Sequence, residues 1–308
     1  MKISIVTTLY YSAPYVEEFY SRAKAAAEKI TDDYEIIFVN DGSPDNSLDM
    51  AISLYEKDPK VRVIDLARNF KHHKAQMTGL SYAEGDLVFL IDSDLEEPPE
   101  LIGRFYDEMK NSGADVVYGI QEKRKGKFFE RITGDIFYTL FNVLSWYPIP
   151  KNVITARLMS KRYVAALAAH KDQELFMGGL WAITGFKQVG IAVKKANKGK
   201  SAYTIARKVS VFVDAVTSFS NKPLVFVFYM GLGIMLVSGT FGFYLVLRKL
   251  ILNDFSGGWP SLILSIWFLG GLMLFSLGLN GIYLAKVFME TKQRPYTIIR
   301  AVYKRSEK

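Results

Sequence analysis

The chain has 308 residues, a formal net charge of +8 at pH 7 and no cysteine. The absence of cysteine excludes disulfides and thiolate metal sites. The positive charge is not gathered into one stripe of the kind that binds nucleic acid, so we expect no nucleic-acid partner. It concentrates at 122–131, 194–208 and 286–308, near apolar segments. This distribution is typical of contact with anionic lipid headgroups and, in part, with phosphate.

The first 120 residues alternate between strand-like and helix-like segments. Strands are predicted at 2–9, 35–39, 61–66, 87–91 and 114–120. Helices are predicted between them, over 14–30, 45–57, 72–84 and from Pro98-Pro99 to about Asn111. This alternation favours an α/β fold with a Rossmann-like, mostly parallel sheet that is covered by helices on both faces.

The most informative stretch is LVFLIDSDLEEPPE at 87–100, where a strand-like run ends in Asp92 and Asp94. Side chains two residues apart on a strand point to the same face, so both carboxylates can converge on one hard cation. Ligands usually bind at this end of an α/β sheet. The pattern predicts a Mg²⁺ or Mn²⁺ site that is open to diphosphate oxygens; the alternative is a solvated acidic strand end. The adjacent His72 and His73 point about 100° apart on a helix, which argues against a shared metal ion.

The middle of the chain is basic at 121–131 and then aromatic and apolar at 132–149. The second segment is either a core helix or a helix in the headgroup layer. Further on, apolar side chains recur at helical spacing and predict an amphipathic helix over 203–222 at the membrane interface. The stripe consists of Ile205, Val209, Phe212, Val216 and Phe219.

Two long apolar segments follow, Leu224–Leu247 and Ser261–Ala285. At about 1.5 Å per residue, the first reaches roughly 36 Å, enough for a hydrocarbon core of about 30 Å. The tail at 286–308 carries seven Lys or Arg against two Glu. The positive-inside rule then places the N-terminal region and the tail in the cytoplasm. A buried helical hairpin of a soluble protein is the alternative.

Three segments, in this order, resemble the family-2 glycosyltransferases of the GT-A fold: VNDGSPDNS, NFKHHKAQMTGLSYAEGD and LIDSDLEEPPE. The likeness is greatest to dolichol-phosphate mannose synthases and bacterial polyprenyl-phosphate glycosyltransferases, which carry a C-terminal two-helix anchor. The resemblance implies a GT-A catalytic domain plus a transmembrane hairpin. Some relatives assemble as tetramers, so a homo-oligomer is an open alternative to a monomer.

The resemblance assigns roles to individual residues. The nucleotide would be contacted by Thr8, Tyr10, Asp41, Asp92 and Ser93. The metal would be held by Asp92, Asp94 and Glu96, and the catalytic residues would be Asp94 and Arg157. The diphosphate or the acceptor phosphate would be bound by Arg124, Arg131, Lys200 and Ser201. For Asp41 the alternative is an Asx-turn, because Asn-Asp-Gly-Ser is a common turn sequence.

Three positions depart from the family pattern: Ser12, Thr155 and Ala196 stand where the family has Glu, Asp and Arg. A polyprenyl phosphate has a second pKa near ~6, so its oxygen is already ionised and needs placement more than a base. A sugar hydroxyl would need a base. The loss of the Asp at Thr155 therefore favours a phosphate acceptor.

The expected function is inverting, metal-dependent transfer of a single sugar from a nucleotide diphosphate sugar, preferably a UDP-sugar, to polyprenyl phosphate. One alternative is a glycosyltransferase that acts on a glycan or glycolipid hydroxyl. Another is a catalytically degenerate nucleotide-binding scaffold.

The chain would divide into a catalytic domain at 1–202, an interfacial helix at 203–222, two transmembrane helices at 223–286 and a basic cytoplasmic tail at 287–308. The lipid bilayer would be a partner, and the expected location is the cytoplasmic (inner) membrane, as a multi-pass protein.

Overall fold

The computed structural model describes residues 1–121, 143, 150, 152–172, 175–194, 213, 216–217, 220–252 and 258–305. The predicted phosphate-binding residues Arg124, Arg131, Lys200 and Ser201 lie outside the described residues, as do most of 132–149 and of 203–222. The chain forms two compact units. The first comprises Met1–Thr139, Tyr147–Thr204 and Arg294–Lys308, and the second comprises Leu140–Trp146 and Ile205–Gln293.

The first unit is built from strands and helices that alternate up to β5. In chain order they are β1 (Ile3–Leu9), α1 (Val16–Glu28), β2 (Tyr34–Asn40), α2 (Ser47–Lys57), β3 (Val61–Leu66), α3 (His72–Ser81), β4 (Leu87–Leu90), α4 (Leu101–Ser112) and β5 (Val116–Gln121). There follow β6 (Val153–Ser160), α5 (Lys161–Ala168), α6 (Met177–Ile183), β7 (Gln188–Val193) and, near the C-terminus, β8 (Ile299–Tyr303). All strands and helices predicted before residue 121 are present, with modest shifts at their ends.

One eight-stranded sheet forms the centre of this unit, in the order β7-β5-β6-β4-β1-β2-β3-β8. Strands β1, β2, β3 and β4 are mutually parallel where they pair, and β5 is parallel to β7. Strand β6 is antiparallel to both β4 and β5. Every residue of β1 and β2 is buried, as the two covered faces of a central parallel sheet require. The expected α/β fold is confirmed.

The C-terminal strand β8 was not predicted from the sequence. Residues 299–303 pair antiparallel with β3 and close that edge of the sheet. Their partly buried residues alternate with exposed ones, including Arg300, and the Tyr303 ring packs edge-on against Tyr55. Basic residues surround this short alternation, so the segment resembles a solvated tail in the sequence. In the structure it forms an edge strand.

Helix α3 lies directly on β1 and β2 because Gly79 faces the sheet. A Cβ built on Gly79 would stand 2.5 Å from the Val6 side chain and 2.9 Å from that of Val39. A larger residue would push the helix away from the sheet. The close packing brings His72, the first residue of α3, to the carboxyl ends of the parallel strands.

The second unit contains two long helices, α7 (Lys222–Leu252) and α8 (Trp259–Thr291). Within α8, Ser265–Thr291 has a mean hydropathy of 1.6, and none of its most apolar window is buried. Trp267, for example, is 79% exposed. Among the described residues, this is the one helix long and apolar enough to cross a membrane. A core helix of a soluble protein would be covered, so its exposure indicates association with a membrane.

Candidate active site

The carboxylates predicted to bind ligand stand at one edge of the sheet. Strands β4, β1 and β2 are parallel neighbours, so their carboxyl ends meet there. Asp41 follows β2 directly, and Asp92 and Asp94 follow β4 closely. Thr8 lies near the end of β1, between them. The sheet thus gathers residues that are far apart in the sequence.

Asp92 is held by a histidine and a glutamine of α3. Its Oδ1 lies 3.2 Å from His72 Nε2 and 3.5 Å from Gln76 Nε2. The other ring nitrogen of His72, Nδ1, lies 3.1 Å from Thr8 Oγ1. Burial alone would lower the pKa of His72, but the hydrogen bond and charge of Asp92 outweigh it and raise the pKa above its ordinary value. His72 therefore bridges the ends of β1 and β4 through the imidazole ring.

Asp94 lies in a tight turn beyond the strand. Its Oδ1 accepts the backbone N–H of Glu96 at 3.0 Å, and Leu95 between them has φ +61°. Asp92, Asp94 and Glu96 are all partly exposed, whereas Ser93 and Glu97 are buried. Partly exposed carboxylates in this loop thus alternate with buried polar side chains.

Two partly exposed carboxylates suit a hard divalent cation. In the part of the chain that the structure describes, no three His, Asp or Glu side chains are grouped closely enough to hold a metal by themselves. An ion on Asp92 and Asp94 would therefore complete its coordination with substrate diphosphate oxygens and water. Glu96 as a third metal ligand stays a prediction.

Asp41 is 2% exposed, and its Oδ1 accepts the backbone N–H of Phe70 at 2.6 Å. Burial raises the pKa of Asp41 more than this N–H and the nearby cations lower it. The adjacent Gly42 has φ +61°, and a Cβ on it would stand 2.5 Å from the backbone of Arg68. Asp41 thus joins the turn after β2 to the segment before α3, and its contact with a nucleotide base stays a prediction.

Ser93 joins two strand ends inside the protein. Its Oγ donates to the carbonyl oxygen of Thr8 at 2.9 Å and lies 3.0 Å from Ser12 Oγ. Ser12 Oγ also accepts the N–H of Tyr10 at 3.1 Å. Ser12, which replaces the glutamate of the family pattern, is therefore part of the structural connection. The Tyr10 ring is half-exposed, and direct contacts of Thr8, Tyr10 and Ser93 with a nucleotide stay predictions.

Arg157 lies in β6 opposite Leu90, and its side chain is 1% exposed. Its guanidinium donates to the carbonyl oxygens of Thr155 and Ile154, both at 3.2 Å, and lies over the ring of Trp181. Burial lowers the pKa of Arg157 to about 9, against the raising effect of nearby groups that include Glu97 and Asp92. The resemblance implies a catalytic role for Arg157, and the structure places its guanidinium inside the protein, within electrostatic reach of Asp92. Its catalytic role stays a prediction.

The model of the family described as "Glycosyl transferase family 2" matches residues 4–167, which span β1 to β6 and nearly all of α5. The chain belongs to glycosyl transferase family 2. A protein named "Putative glycosyltransferases" from Mycobacterium tuberculosis is 55% identical over 303 residues, which cover 98% of this chain and 89% of the relative. The "Prophage bactoprenol glucosyl transferase homolog" of Escherichia coli is 32% identical and covers 99% and 100% of the two chains.

A solved structure shares the fold of this family-2 chain. It is a mannosyltransferase from Pyrobaculum calidifontis in complex with GDP-Man and Mn²⁺, with a TM-score of 0.50 and 13% identity. The match covers 94% of this chain and 86% of the mannosyltransferase. The likeness confirms the GT-A fold that the resemblance implied.

Glu97 connects two parts of the site, a role that the sequence did not predict. It is 1% exposed, and its carboxylate accepts the backbone N–H groups of Thr155 at 3.3 Å and Ala156 at 2.7 Å. It thereby joins the loop that carries Asp92 and Asp94 to the strand that carries Arg157. In the sequence it is the last of four acids in the segment DSDLEE at 92–97, and only its position before Pro98 hints that it turns inward.

His72 can be tested against its neighbour His73. We expect His72→Ala to weaken Mn²⁺ binding about tenfold, because Asp92 loses the ring that orients it. His73→Ala should change it little, since the Nδ1 of His73 lies 3.0 Å from the carbonyl oxygen of Leu175 instead. Electron paramagnetic resonance of free Mn²⁺, titrated into the full chain with UDP, measures both. An equal loss of Mn²⁺ affinity in the two variants would show that His72 does not support the metal site.

Proposed function

We propose that this chain transfers one sugar from a UDP-sugar to polyprenyl phosphate at the cytoplasmic face of the membrane. The observation that carries the proposal is the pair Asp92 and Asp94, partly exposed at the ligand-binding edge of a family-2 sheet. The same chain carries a long apolar helix whose surface is uncovered. A nucleotide donor and a lipid acceptor account for both features together.

The donor side rests on the carboxylate pair. Asp92 and Asp94 would hold a Mg²⁺ or Mn²⁺ ion, and that ion would neutralise charge on the departing diphosphate. The chain itself orients these groups through the contact of His72 with Asp92, through Ser93 and through the turn at Asp94. The buried guanidinium of Arg157 adds a fixed positive charge behind the site, where low dielectric strengthens its field.

Two observations support polyprenyl phosphate as the acceptor: the names of the relatives and the presence of Thr155 in place of an Asp. Relatives named bactoprenol glucosyl transferase match nearly the whole chain at 32% identity. An oxygen of the acceptor phosphate, already ionised at neutral pH, attacks the anomeric carbon. A new carbon–oxygen bond forms as the bond to the donor diphosphate breaks, and UDP leaves. One displacement inverts the anomeric centre, and the nucleophile requires no carboxylate at position 155.

We infer the membrane topology from the way the chain leaves the first unit after β7 and returns to it at β8. Strand β8 completes the same sheet that contains β1 to β7, although α7 and α8 lie between them in the sequence. A segment that leaves this unit and returns to it crosses a bilayer an even number of times. Two spans, with the catalytic domain and the tail in the cytoplasm, satisfy this condition. The proposal also includes a homo-oligomer such as a tetramer.

A paired acceptor assay tests the proposed reaction. The full chain, purified in detergent, is incubated with radiolabelled UDP-glucose, UDP-N-acetylglucosamine or GDP-mannose and with either undecaprenyl phosphate or undecaprenol. We expect label in the lipid phase with a UDP-sugar and undecaprenyl phosphate, and none with undecaprenol. Transfer only to a glycolipid hydroxyl would favour the alternative acceptor class. Nucleotide binding without any turnover would favour a scaffold.

A further inference from the structure

We propose that Arg300, on the C-terminal strand β8, is a positioning residue for the nucleotide site. It connects to both backbone segments that meet at Asp41: the turn at 40–43 and the segment at 67–71. The inference rests on the proposed function in one respect, that a nucleotide binds beside Asp41. The contacts that Arg300 makes with the two segments belong to the fold and do not depend on the proposed function.

The first connection runs through a buried carboxylate. Arg300 Nη1 lies 3.4 Å from Asp65 Oδ2, and Asp65 is nearly fully buried at the end of β3. The other oxygen, Asp65 Oδ1, accepts a hydrogen bond from Asn40 Nδ2 at 2.8 Å. Asn40 Oδ1 in turn accepts the backbone N–H of Ser43 at 3.2 Å. The orientation of the turn that carries Asp41 thus depends on the Asn40 amide, which the Asp65 carboxylate holds. Arg300 balances the negative charge of that carboxylate.

The second connection is made to the backbone of the 67–71 segment. Arg300 Nη2 donates to the carbonyl oxygen of Ala67 at 2.7 Å. The N–H of Ala67 donates to the carbonyl oxygen of Ile298 at 2.8 Å, so β8 holds both polar groups of this residue. Three residues later, Phe70 donates its N–H to Asp41. The C-terminal strand therefore fixes the start of the segment whose end caps the Asp41 carboxylate.

The planar guanidinium suits this double task. Its two terminal nitrogens point in fixed, separate directions, one toward Asp65 and one toward Ala67, which a lysine ammonium cannot reproduce with one atom. The Arg300 side chain is 59% exposed, so the ion pair itself contributes little to global stability. The expected effect of its removal is local: the two segments around Asp41 loosen, and nucleotide affinity falls. Steps after binding change little.

Lys304, the residue directly after β8, supplies a matched control. Its Nζ lies 2.6 Å from Glu84 Oε1, and its side chain is 42% exposed. Arg300→Ala and Lys304→Ala therefore each remove one exposed cation with a carboxylate partner. Only the first removes contacts to Asp65 and Ala67. A difference between the two variants reports the connection to the nucleotide site rather than the loss of a surface charge.

The experiment combines calorimetry of UDP binding with hydrogen–deuterium exchange, both on the full chain in detergent. We expect Arg300→Ala to raise the Kd for UDP about tenfold, Arg300→Lys to give an intermediate value, and Lys304→Ala to stay near wild type. Exchange at 67–71, including the amide of Phe70, should speed up in Arg300→Ala alone.

The two measurements separate the inference from the proposed function. If the wild type binds no UDP, the proposed donor is wrong, and faster exchange at 67–71 in Arg300→Ala alone still supports the structural role of Arg300. If exchange in Arg300→Ala matches that in Lys304→Ala, the inference is overturned. If exchange rises but the Kd for UDP does not, the inference is also overturned, because the segment would have loosened without affecting the nucleotide.

Discussion

Asp94→Asn is expected to lower sugar transfer about a thousandfold while the chain stays folded. Asparagine keeps an Oδ1 that can still accept the N–H of Glu96, so the turn after β4 retains its hydrogen bond. It removes the negative charge that the cation requires. The initial rate of lipid-linked sugar formation, measured at saturating donor, gives the loss directly. Thermal unfolding in detergent should match that of the wild type.

Asp107→Asn provides the control for Asp94→Asn. Asp107 is an exposed carboxylate on α4, away from the carboxyl ends of the strands. Removal of the same charge there should leave both the rate and the Mn²⁺ requirement unchanged. If Asp94→Asn kept more than about a tenth of the wild-type rate with an ordinary Mn²⁺ requirement, Asp94 would not be a metal ligand.

Glu97→Ala is expected to destabilise the first unit by about 3 kcal/mol. The substitution leaves two backbone N–H groups of β6, those of Thr155 and Ala156, without their acceptor, and each such loss costs about 1–3 kcal/mol. Thermal unfolding of the full chain in detergent should show a fall in Tm of about 8 °C. Glu97→Gln should give a smaller fall, because the amide oxygen can still accept one of the two N–H groups.

Glu100→Ala is the control from the same loop. Glu100 is about half exposed and pairs with Arg22 at 2.8 Å, a surface ion pair that contributes at most about 1 kcal/mol. Its Tm should stay close to that of the wild type. Equal Tm values for Glu97→Ala and Glu100→Ala would mean that β6 does not depend on the Glu97 carboxylate.

The central strands could be predicted because their sequences are continuous apolar runs bounded by turns. Strand β2, for example, is buried on both faces, and its apolar run IIFV is typical of such a strand. The same logic located Asp92 and Asp94, since the end of a parallel strand is where an α/β sheet binds ligands. Strand β8 could not be predicted this way, because two of its five residues are exposed and its pairing partner β3 is more than 200 residues earlier.

The roles of His72, Glu97 and Arg300 could not be predicted for a related reason. Each depends on a partner distant in the sequence: Asp92, the amides of β6, and Asp65. A sequence pattern shows that a residue is polar, but the fold decides whether it faces solvent or a buried group. Arg157 illustrates the same limit, because its full burial results from packing against α6 and the neighbouring strands.

We propose that a cation held by Asp92 and Asp94 supports transfer of a sugar from a UDP-sugar to polyprenyl phosphate. The most direct test is to follow labelled lipid formation by the full chain before and after removal of divalent ions with EDTA. We expect the label in the undecaprenyl phosphate fraction to fall to background in EDTA and to return when Mn²⁺ or Mg²⁺ is restored. Undiminished transfer in EDTA, or no transfer by folded protein with any UDP-sugar, would contradict it.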